Sequence, residues 1–188
     1  SLCPRQCGAL RDETHGEGFC QMPHRPVCAR AALHLWEEPC ISGETGAGTV
    51  FFSGCTLGCV FCQNASISRE GFGRPLTDDE LYAAFQRLAD QGAACIELVT
   101  PTHFTHALAR VLERPVPGGL PVVWNSGGYE RAETLRSLEG KVAVYLPDLK
   151  YVTPAIAGKY SGAADYPQAA QAAILEMYRQ RGPVRFEG

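Results

Sequence analysis

Long hydrophobic runs and basic excess are what this chain has least of. No apolar stretch in its 188 residues approaches the ~20 that a membrane-spanning helix needs. No leader segment is expected at its start. Its 17 Lys and Arg stand against 20 Asp and Glu, a formal net charge of −3. That balance gives no long-range attraction to nucleic acid or to anionic lipid, so neither is expected as a partner. An even complement of cysteines is missing too. Nine cysteines cannot all pair, and a chain this long, with regular strand and helix patterns, is no small disulfide scaffold. Metal ligation in a reducing cytoplasm fits better, and a cytoplasmic location is expected.

What remains is ordinary globular composition, 45% hydrophobic and 20% charged, enough for one domain with a sizeable core. Both ends look cut. Ser1 stands immediately before a cysteine motif, and Gly-Pro-Val-Arg-Phe at 182–186 reads as the start of another strand. Residues 1–48 read as an irregular segment rich in Cys, Pro and Gly. After it, strands are expected at Val50–Ser53, Cys95–Val99, Val122–Asn125 and Val142–Leu146. Thr77-Asp-Asp-Glu80 is a capping box, opening a helix with Leu81, Ala84, Phe85 and Leu88 on one face. Further helices are expected at Phe104–Glu113, Arg131–Leu138, Pro154–Tyr160 (capped by Thr153) and Pro167–Arg181, the last apolar at Ala170, Ile174, Leu175 and Tyr178. Strand and helix alternate, which predicts an α/β fold with a parallel sheet and right-handed crossovers. Four or five units are too few to close an eight-stranded barrel.

The densest signal follows the first of these strands. Cys55, Cys59 and Cys62 are spaced C-x3-C-x2-C, with Gly54 and Gly58 to let the backbone turn tightly. Three thiolates on one loop can hold three irons of a cubane and leave the fourth without a protein ligand, a position built for chemistry. A zinc knuckle or three buried thiols are the alternatives. Zinc wants a fourth ligand nearby, and no Cys, His or Asp lies between Cys62 and Asp78. Ligands collect at the carboxyl ends of parallel strands. Here those exits are Ser53-Gly-Cys55, Thr100-Pro-Thr102-His103, Asn125-Ser126-Gly127 and Asp148-Leu-Lys150, all polar or metal-binding, which supports one pocket at the mouth of the sheet.

The loop, with Phe61 before its last cysteine, resembles the radical S-adenosylmethionine (SAM) superfamily. More closely, the chain resembles iron–sulfur proteins related to pyruvate formate-lyase activating enzyme. The matching segments include Cys3-Pro-Arg-Gln-Cys7-Gly, Ala29–Gly43, Gly48–Gly54, Leu98–His103, Asn125–Glu130 and Tyr145–Tyr151. The resemblance implies a partial (β/α) barrel of radical SAM type over 49–188, incomplete at its C-terminal end, behind the Cys-rich segment 1–48. It implies a [4Fe–4S] cluster at Cys55, Cys59 and Cys62 whose open iron chelates SAM. It also implies an electron donor such as flavodoxin or ferredoxin, and a glycyl-radical enzyme as partner. The resemblance further implies cofactor contacts at Phe61 (near adenine), Asn64 (a Cys-x-Asn), Asn125, Ser126, Asp148 and Lys150. Thr100 and Thr102 stand where most members carry a Gly-Gly-Glu-like segment, a departure from the pattern. Related sequences carry a further cysteine just upstream of Cys3, so Cys3, Cys7 and Cys20 read as a second metal site, zinc or a second cluster, with His15 as a possible substitute ligand. A non-catalytic iron–sulfur or zinc module, and radical chemistry on a small molecule, are the rival readings.

Three features carry no assignment. His103 and His106 read as polar surface residues. His34, Glu37 and Glu38 read as an extended segment or a surface turn around Pro39. Cys28 and Cys40 are isolated, and Cys95 reads as a small core hydrophobe.

Overall fold

A computed structural model describes residues 2–183. The strand expected from Gly182 falls largely outside them. In chain order the elements are β1 (Val27–His34), α1 (Pro39–Ser42), β2 (Ala47–Phe52), α2 (Ala65–Ser68), β3 (Arg74–Pro75), α3 (Asp78–Asp90), β4 (Ile96–Val99), α4 (Thr105–Val111), β5 (Val122–Ser126), α5 (Ala132–Leu135), β6 (Val144–Pro147), α6 (Pro154–Ser161) and α7 (Tyr166–Arg181). The strands form one sheet in the order β3-β1-β2-β4-β5-β6. β2, β4, β5 and β6 run parallel, while β1 is antiparallel to both β2 and β3. The fold is mixed α/β with a parallel-rich sheet. Among the described residues that sheet is open, where the resemblance implied a partial barrel.

The segment 1–48 is not irregular throughout. β1 lies inside it, paired over most of its length with β2. Its Ala-rich sequence has little strand propensity, and the neighbouring strand decides the conformation. Period-two alternation then sorts the parallel strands. Val50, Phe52, Ile96, Leu98, Val122 and Trp124 face α3 and α4, packing on Leu81, Phe85, Leu88 and Leu108. Each such fully buried side chain contributes roughly 1.5–3 kcal/mol. On the other face Ala47, Cys95 and Val123 pack with Ile41, Val144 and Leu146.

The capping box at α3 forms in both directions: Glu80 N donates to Thr77 Oγ1 (3.2 Å), and Thr77 N to Glu80 Oε2 (2.9 Å). Thr153 does sit at the N-cap of α6, but its side chain makes no capping bond. In α7 the buried face is Tyr166, Ala170, Ala173 and Met177, whereas Leu175 and Tyr178 are exposed. The helix is rotated relative to the sequence expectation because Tyr166 anchors its first turn under the β5 and β6 exits, where its hydroxyl donates to backbone carbonyls.

Candidate active site

The strand ends converge on a cavity of about 380 Å³. β2 leads into the loop carrying Cys55, Cys59 and Cys62, and all three thiols line the cavity. Gly54 makes the exit possible. Its φ of 79° lies in the left-handed region, and a Cβ there would stand 2.3 Å from Met22 Cγ. Phe61 and Asn64 line the same space. Phe61 is largely exposed and meets Tyr151 and Tyr160 edge-on. Asn64 occupies the N-cap position of α2 without a side-chain capping bond, so local helix geometry does not consume its amide.

From β4 comes Thr100, at φ 58°, a strained conformation for a β-branched residue. Its N–H is held by the carbonyl of Asn125 at 2.9 Å. Asn125 and Ser126 reach the cavity from β5, and Asp148 and Lys150 from the exit of β6. Burial pushes the Lys150 ammonium down, and the Asp148 carboxylate bonded to it outweighs this, so its pKa lies above the ordinary lysine value. Gly128, at φ 72°, lets the β5 and β6 exits come together: a Cβ there would meet the Asp148 carbonyl at 2.3 Å.

Thr102 is not in the cavity. Its hydroxyl donates to Glu130 Oε1 (3.1 Å), as do Trp124 Nε1 to the same oxygen (2.8 Å) and Ser126 Oγ to Oε2 (2.8 Å). Glu130 is fully buried. Burial raises its pKa, and these three donors oppose that rise. The Ser126 hydroxyl proton is therefore committed to Glu130, and its oxygen already accepts from Gly128 N at 3.3 Å.

A second buried acid orients Asn125. Glu97 accepts from Asn125 Nδ2 (2.8 Å) and from Thr49 Oγ1 (2.7 Å). With the amide nitrogen turned to Glu97, Asn125 presents Oδ1, an acceptor, on its other side. Sequence reasoning gave no role to Glu97 or Glu130. The signal for Glu97 was a lone acid inside the apolar run Cys-Ile-Glu-Leu-Val.

The cysteine sulfurs accept hydrogen bonds from three sources. Cys55 takes one from Leu57 N (3.3 Å), Cys59 from Ser161 Oγ (3.0 Å) and Cys62 from Ser68 Oγ (3.3 Å). Burial raises the Cys55 pKa. The Gly58 and Leu57 amides lower it, and Cys59 and Cys62 raise it further, so the three sulfurs sense one another.

The N-terminal segment packs on this loop. The Arg5 guanidinium donates to the carbonyls of Thr56 (2.8 Å), Leu57 (3.0 Å), Ser161 (2.6 Å) and Gly162, and lies over the Phe19 ring. Arg11 donates to the His103 carbonyl (2.8 Å) and to Cys20 Sγ (3.2 Å). Cys3 and Cys20 are buried, and Cys7 is exposed. Amide donation from Phe19 leads the effects that lower the Cys7 pKa.

His103 is buried, unlike the exposed His106, which corrects the expectation of a surface pair. Its Nε2 contacts the Ser53 carbonyl at 2.7 Å, and its Nδ1 has no partner. Glu37 stands beside Glu38 and Glu97. Burial and these carboxylates push it up to about 8.

Residues 49–183 match the family model of the radical SAM superfamily. This chain belongs to the radical SAM superfamily. It is also 30% identical over 159 residues to an uncharacterized protein of Methanocaldococcus jannaschii, a match covering 80% of this chain and 45% of that protein. The chain therefore spans less than half the length of that relative.

Radical SAM proteins typically bind a [4Fe–4S] cluster and SAM, and the donors here suit both. Among the described residues, no three His, Cys, Asp or Glu side chains gather as they would on a single metal ion. A cubane asks for something else: each thiolate bonds a different iron, so the sulfurs must surround a volume. Cys55, Cys59 and Cys62 line one cavity. That cavity also carries an ammonium at Lys150, an acceptor at Asn125 Oδ1 and an aromatic at Phe61, suited to a carboxylate, a donor group and a flat base. The radical SAM cavity thus combines soft sulfur donors with polar strand ends.

Proposed function

We propose that this protein is an enzyme that cleaves SAM reductively, with Cys55, Cys59 and Cys62 holding the cluster. One observation carries the reading: three free thiols share a single cavity with the carboxyl ends of four parallel strands. The cluster, when bound, supplies one electron to the sulfonium, giving methionine and a 5′-deoxyadenosyl radical. The chain's own residues bind and orient. Lys150 offers a cation to the ligand's carboxylate, with Asp148 holding its side chain. Asn125, steered by Glu97, offers an acceptor to a ligand N–H or O–H. Phe61 covers the base from the rim of the cavity. Thr100 offers its carbonyl and hydroxyl where the strand ends, its N–H being held by Asn125, and Asn64 an amide from the loop.

For the target, the activating-enzyme-like segments favour a backbone glycine of a partner protein, from which the radical would take a hydrogen atom. Flavodoxin or ferredoxin would supply the electron. Cys3, Cys7 and Cys20 do not gather as ligands of a single ion, so they are proposed only as a separate trio for a cluster, on their shared segment and on the Coulombic effect of Cys20 and Cys7 upon Cys3.

The test is anaerobic reconstitution with iron and sulfide, followed by dithionite and SAM. 5′-Deoxyadenosine and methionine should form in equal amounts. Cys55→Ala, Cys59→Ala and Cys62→Ala should each abolish product, since each removes a ligand. An intact cluster with no SAM cleavage would end the proposal, as would a fourth protein ligand on the cluster.

A further inference from the structure

Cys59 differs from the other two cysteines of the loop in where its hydrogen bond comes from. Cys55 is served by Leu57 and Cys62 by Ser68, both near neighbours in the chain. The donor to Cys59 is Ser161, 102 positions away at the last turn of α6. Behind Ser161 stands a second hydroxyl, Tyr151, whose oxygen is 2.7 Å from Ser161 Oγ. Ser161 is 4% exposed, and Tyr151 and Cys59 are each 7% exposed, so water is largely kept from the chain of contacts.

The direction of the hydrogen bonds follows from valence. A ligating thiolate has no proton and only accepts. Ser161 has one hydroxyl proton, which goes to Cys59. Its oxygen is then free to accept from Tyr151. Such chains polarise one another, so the second hydroxyl strengthens the first bond.

Both hydroxyls are firmly placed. Tyr151 packs edge-on against Tyr166 (5.3 Å, 82°) and Phe61 (6.4 Å, 70°). The carbonyl of Ser161 is gripped by Arg5, which holds the Thr56 and Leu57 carbonyls of the cysteine loop in the same fork. Val60 N donates to the Tyr160 carbonyl at 2.9 Å. Loop and helix end are thereby fixed to each other on both sides of the sulfur.

Resting on the cluster reading above, we infer that Tyr151 and Ser161 form a two-hydroxyl relay onto Cys59 that sets the reduction potential of the cluster. The couple is a one-electron reduction in which no bond to sulfur forms or breaks. The reduced cluster carries more negative charge on its thiolates, so a hydrogen bond to one of them stabilises the reduced form more than the oxidised form. Tyr151 and Ser161 are positioning residues, acting through Cys59.

The experiment is an EPR-monitored redox titration of the anaerobically reconstituted protein without SAM, on wild type, Ser161→Ala and Tyr151→Phe, each at full iron and sulfide content. Both variants should shift the midpoint to more negative potential, Ser161→Ala by more. Tyr151→Phe keeps the ring packing and removes one oxygen, so it decides the matter should Ser161→Ala fail to load. A midpoint unchanged in Tyr151→Phe and in any loaded Ser161→Ala protein overturns the relay and leaves the cluster reading standing. Failure of the wild type to take up iron and sulfide overturns the cluster reading, and the relay with it.

Discussion

At the scale of single residues, the molecule places polar side chains in its interior and gives nearly all of them partners. Glu97 and Glu130 each collect donors and orient Asn125 and Ser126 at the cavity wall. Among the described residues His103 is the exception, with Nδ1 bare and the imidazole wholly buried. Burial and, to a smaller degree, Arg11 hold its pKa down to about 4, against the opposing bond to the Ser53 carbonyl. A histidine whose folded pKa is depressed binds fewer protons in the native state than in the unfolded one. Its contribution is present above the unfolded value of 6.5 and is lost as pH falls towards 4. His103→Gln does not titrate in that window. Urea unfolding at a series of pH values should therefore show a flatter stability profile between pH 6.5 and 4 for the variant. Parallel profiles would contradict the assignment of a neutral buried imidazole.

At the scale of elements, α3 is readable from the sequence alone because its signals are local. Thr77 and Glu80 cap it reciprocally, and Leu81, Ala84, Phe85 and Leu88 form its buried face. Glu80 is held down to about 2 by the Thr77 amide first and then by Arg74. Thr77→Ala removes an acceptor for an orphan amide and should lower stability by about 1 kcal/mol, measured by thermal or urea unfolding. A change under a few tenths would mean that the cap is dispensable. β1 shows the opposite case. Nothing in Val-Cys-Ala-Arg-Ala-Ala-Leu-His announces a strand, and its conformation comes from pairing with β2. α7 lies between the two. Its helical period is legible in the sequence, but its buried face is not, because Leu175 and Tyr178 are as apolar as the residues that pack.

At the scale of the whole molecule, the N-terminal segment and the cysteine loop behave as one unit through Arg5. Its guanidinium ties residue 5 to residues 56, 57, 161 and 162. Hydrogen bonds to a charged donor contribute about 1.5–3 kcal/mol each when shielded, and this side chain is half-buried. Arg5→Ala should lower stability by on the order of 2 kcal/mol and speed proteolysis within residues 2–25. Arg5→Lys should restore only part, since an ammonium cannot reproduce the planar fork. Equal proteolysis of wild type and Arg5→Ala would show that the segment is held by other contacts.

The chain's order of residues determined the alternation of strand and helix, the capped α3 and the grouping of three cysteines on one loop after a strand. Each of these is written in spacing over a few residues, where periodicity and valence speak directly. It also determined that polar residues would follow apolar strands, and parallel strands must discharge such residues at the same end. Only the tertiary structure decided that Thr102 turns away to Glu130, that Glu97 steers Asn125, that His103 is interior, and that Ser161 reaches Cys59. Those outcomes join residues up to about a hundred positions apart. A hydrogen bond depends on distance and direction in space, and no local pattern along a chain records which distant donor will arrive at a given acceptor.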